Sequence, residues 1–168
     1  MRYSDFLDTL LTWAHSKERV RAFTLVEIVI TMAILGTLSA IAVPVYTDHV
    51  EEQKVTTAIA DIKLIEGWVV RFQAERGRPP DTLAETGLPA KIDPWGRPYR
   101  YTRLAGLTKA EQDAKSRWDV NDKPLNDDFD LFSVGKDGVT TPKITLSPSH
   151  DDIIRAHGGT YVGLASEY

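Results

Sequence analysis

One uninterrupted apolar run constrains this chain more than any other feature. The twenty residues from Ile28 to Thr47 carry no charge and are bounded by Glu27 and Asp48. As a helix such a run spans roughly 30 Å, about the hydrocarbon thickness of a bilayer. Its length and freedom from charge set it apart from a buried core helix. Lys17, Arg19 and Arg21 precede it, and Asp48, Glu51 and Glu52 follow. Basic residues stay on the cytoplasmic side, so the N-terminus is expected inside and the remainder outside. A cleaved secretory signal is the competing reading. Against it, the run has no clear small-residue cleavage site at its far end and continues into a helical pattern.

Beyond that run the chain is polar and mildly acidic. Its 168 residues suffice for one domain with a real core. The net charge of -4 offers no lysine and arginine excess for phosphate binding, so no nucleic-acid partner is expected. Cysteine is absent, which removes disulfides and thiolate metal sites. No glycine-rich phosphate loop occurs. Ser133 with His150 and Asp151 has the residue types of a nucleophilic triad but no elbow motif around the serine. His15 and His49 flank the apolar run rather than a pocket. The chain is therefore not expected to be an enzyme.

After Asp48 the pattern changes but stays helical. Val55, Ile59, Ile62, Ile65, Val69 and Phe72 recur at spacings of three and four, with Glu52, Asp61, Lys63 and Arg71 opposite. Such a stripe packs under a small sheet or, alternatively, against a partner helix. Gly77, Pro79 and Pro80 end it. A short helical turn is expected within Asp81 to Leu88, and a turn entering a strand at Asp93 to Tyr99, where Tyr99 and Tyr101 alternate with Arg100. Leu107 to Asp128 reads as a charged excursion with a short helix over Lys109 to Lys115. Phe129 to Val134 reads as a second strand, ending at Gly135-Lys136-Asp137-Gly138. The expected fold class is α+β: a long N-terminal helix, transmembrane in its first half, packed by its second half against a small antiparallel sheet, with a loop-rich C-terminal region.

Glu27 is the oddity. A carboxylate at the edge of an apolar helix is costly unless paired or snorkelled, and marks a functional site by default. A glutamate lying just outside the hydrocarbon is the plainer alternative. The heptapeptide Arg21-Ala22-Phe23-Thr24-Leu25-Val26-Glu27 resembles the processing site of type IV pilins and type II secretion pseudopilins. The resemblance implies a prepilin peptidase cut between Ala22 and Phe23, methylation of the new Phe23 amine, and a proline at Pro44 as the family commonly has. It also implies that Glu27 pairs with the Phe23 amine of a neighbouring subunit and sets the axial register. Such a pair offsets two desolvation costs. Ala22 stands where the family usually has glycine. Gly36, Ser39, Ala40 and Ala42 either permit close helix packing or are ordinary membrane-helix composition. Pro44 lacks an amide donor, which suggests a kink or a locally melted helix. The implied organisation is a cytoplasmic leader at 1–22, a transmembrane and polymerisation helix at 23–47, and a periplasmic domain at 48–168 that includes the helix to about residue 76.

A second match lies far from the first. Asp93-Pro-Trp-Gly-Arg-Pro-Tyr99 and Phe129-Asp-Leu-Phe-Ser-Val-Gly-Lys-Asp-Gly138 closely resemble the major pseudopilin subfamily of type II secretion. That subfamily binds structural calcium in a C-terminal loop. The resemblance implies Ser133, Asp137, Asp151 and Asp152 as ligands, and calcium accepts several oxygen donors at flexible geometry. The alternative is that Asp137 caps the Gly135 to Gly138 turn and that Asp151 or Asp152 caps a short helix. Val139 to His150 departs from the family pattern, and a transition-metal site using His150 and His157 is the weakest reading. The implied function is a helical homopolymer, the periplasmic pseudopilus, that drives export of folded proteins. Its implied partners are prepilin peptidase, minor pseudopilins, an inner-membrane platform protein and a secretin. A surface-pilus subunit and a monomeric membrane-anchored binding module are the alternatives.

Overall fold

The computed structural model describes residues 22–168. Lys17, Arg19, Arg21 and all but the last residue of the leader expected at 1–22 lie outside the described residues. The chain divides into two units, residues 1–45 and 46–168.

Helix α1 (Leu25–Arg76) begins with a reciprocal cap. The Thr24 amide and hydroxyl both donate to Glu27 Oε2 at 2.9 Å, and the Glu27 amide donates to Thr24 Oγ1 at 3.2 Å. This is the capping-box arrangement, which satisfies N–H groups that the first helical turn leaves open. Within the first unit the apolar side chains stand outward; Phe23 is 78% exposed and Ile41 70%. A window of membrane-spanning length and composition lies here, with none of it buried. The Thr31 and Thr37 hydroxyls fold back onto the carbonyls of Glu27 and Ile34, each at 2.8 Å. These two hydroxyl protons are thereby satisfied within the helix itself. The melted stretch expected at Pro44 is absent, and α1 stays helical through it.

The second unit is built around the C-terminal part of α1. The helix stops at Gly77, which takes the left-handed conformation (φ 74°) and donates to the Gln73 carbonyl at 2.8 Å. A 3-10 turn (Leu83–Thr86) leads into β1 (Arg100–Arg103), and α2 (Lys109–Lys115) precedes β2 (Phe129–Ser133). Strands β3 (Ile153–Ala156) and β4 (Tyr161–Leu164) complete a four-stranded antiparallel sheet in the order β1-β2-β3-β4. Tyr101 faces Leu131 across the first pair, Phe132 faces Ile154 across the second, and Ile154 faces Gly163 across the third.

The two-residue period of the strands sends alternate side chains to opposite faces. Phe129, Leu131 and Ile153 pack with Ala58, Ile62, Ile65 and Val69 of α1 and with Tyr99. Phe132, Ile154 and Ala156 pack on the other side with Leu125, Ile144, Ala165 and Tyr161. The apolar stripe on α1 thus meets a sheet.

Three details differ from the sequence reading. Tyr99, expected in a strand alternating with Arg100 and Tyr101, precedes β1 and is buried. Asp61, expected on the outward face, accepts the Tyr99 hydroxyl at 3.0 Å and pairs with Lys91 at 2.6 Å. The C-terminal region, read as loop-rich, carries half of the strands. A buried arginine in β3 and the glycines after it hide the strand signal there.

Candidate functional site

Two places gather the sequence-predicted residues. At the start of α1, Ala22 and Phe23 are exposed, and Glu27 is held by Thr24 as described. Glu27 therefore has a partner within its own chain. That signal was legible as Thr24-x-x-Glu27 ahead of an apolar run, a capping-box pattern the sequence reading did not use. Gly36 has open space around it, with nothing within 4 Å of a Cβ built there.

The second place is the loop system at the end of β2. Asp93 organises the Asp93 to Tyr99 turn. Its Oδ1 accepts the amides of Trp95 (3.1 Å) and Arg97 (2.8 Å), and its Oδ2 accepts the Ser133 hydroxyl at 2.5 Å. Ser133 Oγ in turn accepts the Gly135 amide at 3.1 Å. The turn aims Arg97 at the next loop, where its guanidinium donates to the carbonyls of Gly135 (2.7 Å) and Lys136 (3.3 Å). The Trp95 indole donates to Glu51 on α1 at 3.0 Å. The Asp93 motif thereby joins α1, the sheet and the loop.

Asp137 and Asp151 are brought together, for the Asp137 amide donates to Asp151 Oδ2 at 2.8 Å. Asp137 Oδ1 accepts the Val139 amide at 2.7 Å, so Asp137 does cap its own turn. Asp152 turns the other way. It is fully buried, and its Oδ2 accepts Arg117 Nη2 and Thr140 Oγ1, each at 2.6 Å. Burial pushes the Asp152 carboxyl above its ordinary range, with the Arg117 charge opposing. The residue after Asp152 enters β3, so neither Asp151 nor Asp152 caps a helix. His150 meets the Thr145 carbonyl at 3.1 Å and His157 meets the Tyr168 hydroxyl, two separate places.

Of the four predicted ligands, Asp137 and Asp151 are brought together, while Ser133 and Asp152 are committed elsewhere. Calcium takes six to eight oxygens. Ser133 is committed to Asp93 and Gly135, Asp152 is committed to Arg117, and Arg97 sits on the loop carbonyls. Among the described residues no three His, Asp or Glu side chains converge to hold a metal ion. Arg97, Arg117 and Asp93 went unnoticed as site residues. Asp93 before a Pro-Trp-Gly turn signals an Asx cap, but nothing near Arg117 announces its partner thirty-five residues on.

The prokaryotic N-terminal methylation motif matches residues 18–43. Type II secretion system core protein G of Pseudomonas aeruginosa is 31% identical over 137 residues, spanning 69% of this chain and 83% of the relative. The chain belongs to the type II secretion system core protein G family. The Klebsiella pneumoniae core protein G is 29% identical over 81% of this chain and 94% of its own length. The fimbrial protein EcpC of Eikenella corrodens is 32% identical over 46% of this chain and 50% of its own. No solved structure matches the chain. As a core protein G relative, the chain pairs the exposed apolar start of α1 with the expected small sheet domain.

Proposed function

We propose that this core protein G relative is the structural subunit of a pilus-like polymer within the type II secretion machinery, anchored in the membrane by the first half of α1. The observation that carries this reading is a match to core protein G spanning most of both chains. The naked apolar face from Phe23 to Val45 supports it, since so much exposed apolar surface needs lipid or neighbouring helices to cover it.

In this reading the subunit waits in the inner membrane with its N-terminus cytoplasmic and its sheet domain periplasmic. Prepilin peptidase cuts after Ala22, and the Phe23 amine is methylated. Glu27 then exchanges its contact with Thr24 for the Phe23 amine of the next subunit, a charge pair inside an apolar bundle that fixes axial register. A platform protein and minor pseudopilins initiate growth, and the lengthening filament pushes folded cargo toward a secretin channel. The role is mechanical rather than catalytic.

The test is filament assembly with Glu27→Ala and Glu27→Gln beside the wild type. Glutamine keeps a capping oxygen and loses the charge. Both variants are expected to insert in the membrane and both to stall before incorporation. Wild-type filament yield from Glu27→Gln overturns the register role.

A surface-pilus subunit is the second reading, favoured by the fimbrial matches. One fimbrial protein of Pseudomonas aeruginosa is 39% identical but over only 27% of this chain. The secretion reading is preferred because its matches span 69% and 81% of this chain, against 46% and 27% for the fimbrial ones. Deletion of the gene separates them: loss of protein export with intact surface fibres supports secretion, and the converse overturns it.

A further inference from the structure

We propose that Arg117 is the built-in cation of the C-terminal loop, holding residues 139–152 in place of the calcium ion the family resemblance implies, so that this subunit folds independently of calcium. A structural cation in such a loop has one task, which is to gather oxygens that would otherwise repel or remain unsatisfied. Arg117 does this from inside the protein. Its side chain is 5% exposed and that of Asp152 0%. Nη2 reaches Asp152 Oδ2 at 2.6 Å and the Thr141 carbonyl at 3.3 Å, joining the two ends of the loop. Thr140 adds its hydroxyl to the same carboxylate oxygen, and the Thr141 amide donates to Ser149 Oγ at 2.8 Å.

The position of Arg117 is itself fixed. Its amide donates to Asp130 Oδ2 on β2 at 2.8 Å, and its guanidinium carbon lies 4.2 Å from the centroid of the Phe132 ring. An arginine over an aromatic face is stabilised electrostatically and loses little freedom on pairing.

The remaining capacity of the pair argues against a divalent ion beside it. Three buried atoms of the pair lack a hydrogen-bond partner among the described residues: Arg117 Nε, Arg117 Nη1 and Asp152 Oδ1. Two of these are donors on a cation. A calcium ion approaching Asp152 would find Oδ1 as the one unpaired oxygen of the pair, next to the positive charge of Arg117, where six or more oxygens are needed. On the other side of the loop Arg97 occupies the Gly135 and Lys136 carbonyls. The packing there is closed. A Cβ at Gly138 would stand 2.5 Å from the Arg97 guanidinium, and one at Gly135 would collide with the Asp151 backbone. Two guanidiniums thus hold the Asp152 carboxylate and the carbonyls of Gly135, Lys136 and Thr141.

The experiment is thermal unfolding of the full chain in detergent micelles, in millimolar calcium chloride and in EGTA, with trypsin cleavage after Lys143 followed by mass spectrometry. Wild type, Arg117→Lys, Arg117→Met and Arg117→Met/Asp152→Asn are compared. The wild-type midpoint is expected to be the same in both buffers. Arg117→Met is expected to melt several degrees lower and to be cut after Lys143 at least tenfold faster. Arg117→Lys should keep most of the protection, and the double variant should regain part of the lost midpoint. A wild-type midpoint several degrees higher in calcium than in EGTA overturns the proposal. So does an Arg117→Met chain with unchanged midpoint and cleavage. If Arg117→Met fails to fold, the wild-type calcium comparison and Arg117→Lys still decide. No filament forms in the micelle, so failure here leaves the assembly reading untouched.

Discussion

Arg155 on β3 donates through Nε to Glu66 on α1 at 2.7 Å, joining two residues 89 positions apart in the chain. The other end of the same guanidinium meets Asp128, with Nη1 at 2.8 Å and Nη2 at 2.7 Å, and Nη1 also reaches the Phe129 carbonyl at 3.0 Å. The group lies 3.8 Å from the centroid of the Phe129 ring. One buried cation therefore sets where α1 rests against the sheet. A Cβ at Gly159 would collide with the Glu66 carboxylate, so even the following turn is shaped around this contact.

Removing that cation takes the ionic partner from both Glu66 and Asp128. Arg155→Ala is expected to cost about 3–5 kcal/mol, the range for breaking a buried ion pair. Urea unfolding of the full chain in micelles measures it. Arg71→Ala removes an exposed pair with Glu75 and is expected to leave the midpoint in place.

Acid should weaken the same junction. Burial pushes the Asp128 carboxyl up, but the Arg155 hydrogen bonds, the Phe129 amide and the Arg155 charge outweigh it, leaving the folded value below the ordinary 3.8. A depressed carboxylate stabilises the fold above the unfolded value, and that contribution is lost as pH falls through the folded value. Asp128→Asn is expected to be less stable than wild type at neutral pH and to lose the difference below the folded value. A constant difference across the acid range would refute the assignment.

The core beneath the sheet offers a size test. Ile62 is fully buried between α1 and the sheet, and Ile62→Ala is expected to cost about 2–5 kcal/mol. Leu64, two residues on, is 45% exposed, and Leu64→Ala should leave unfolding of the micelle-bound chain nearly unchanged. Paired denaturation curves check both.

Glycines with the same backbone sign should differ in cost. Gly87 (φ 77°) has open space around it, so Gly87→Ala carries only the left-handed penalty of about 1–2 kcal/mol. Gly135 (φ 63°) adds a collision with Asp151, and Gly135→Ala is expected to exceed that by at least about 1 kcal/mol. Equal losses in the two variants would mean that the loop yields easily.

Much of this architecture was legible. The uncharged run from Ile28 to Thr47 is long and apolar enough to cross a membrane as a helix, which satisfies its own backbone in an apolar medium. The three-and-four spacing of Ile62, Ile65 and Val69 required a buried stripe, and Lys109–Lys115 and Phe129–Ser133 fall where local pattern placed them. Those features are local: each follows from residues that lie within a turn or a strand of one another. What escaped the sequence was every contact made by a buried charge. β3 was unreadable because Arg155 interrupts its apolar pattern, and its partners Glu66 and Asp128 lie on other elements. Asp152 read as a calcium ligand because acidic residues before an isoleucine match the family pattern. The fold instead turns it inward to Arg117, 35 residues upstream. A carboxylate's chemistry is fixed by its sequence identity, but its partner is fixed by which chain segments close in space, and only the tertiary structure decides that.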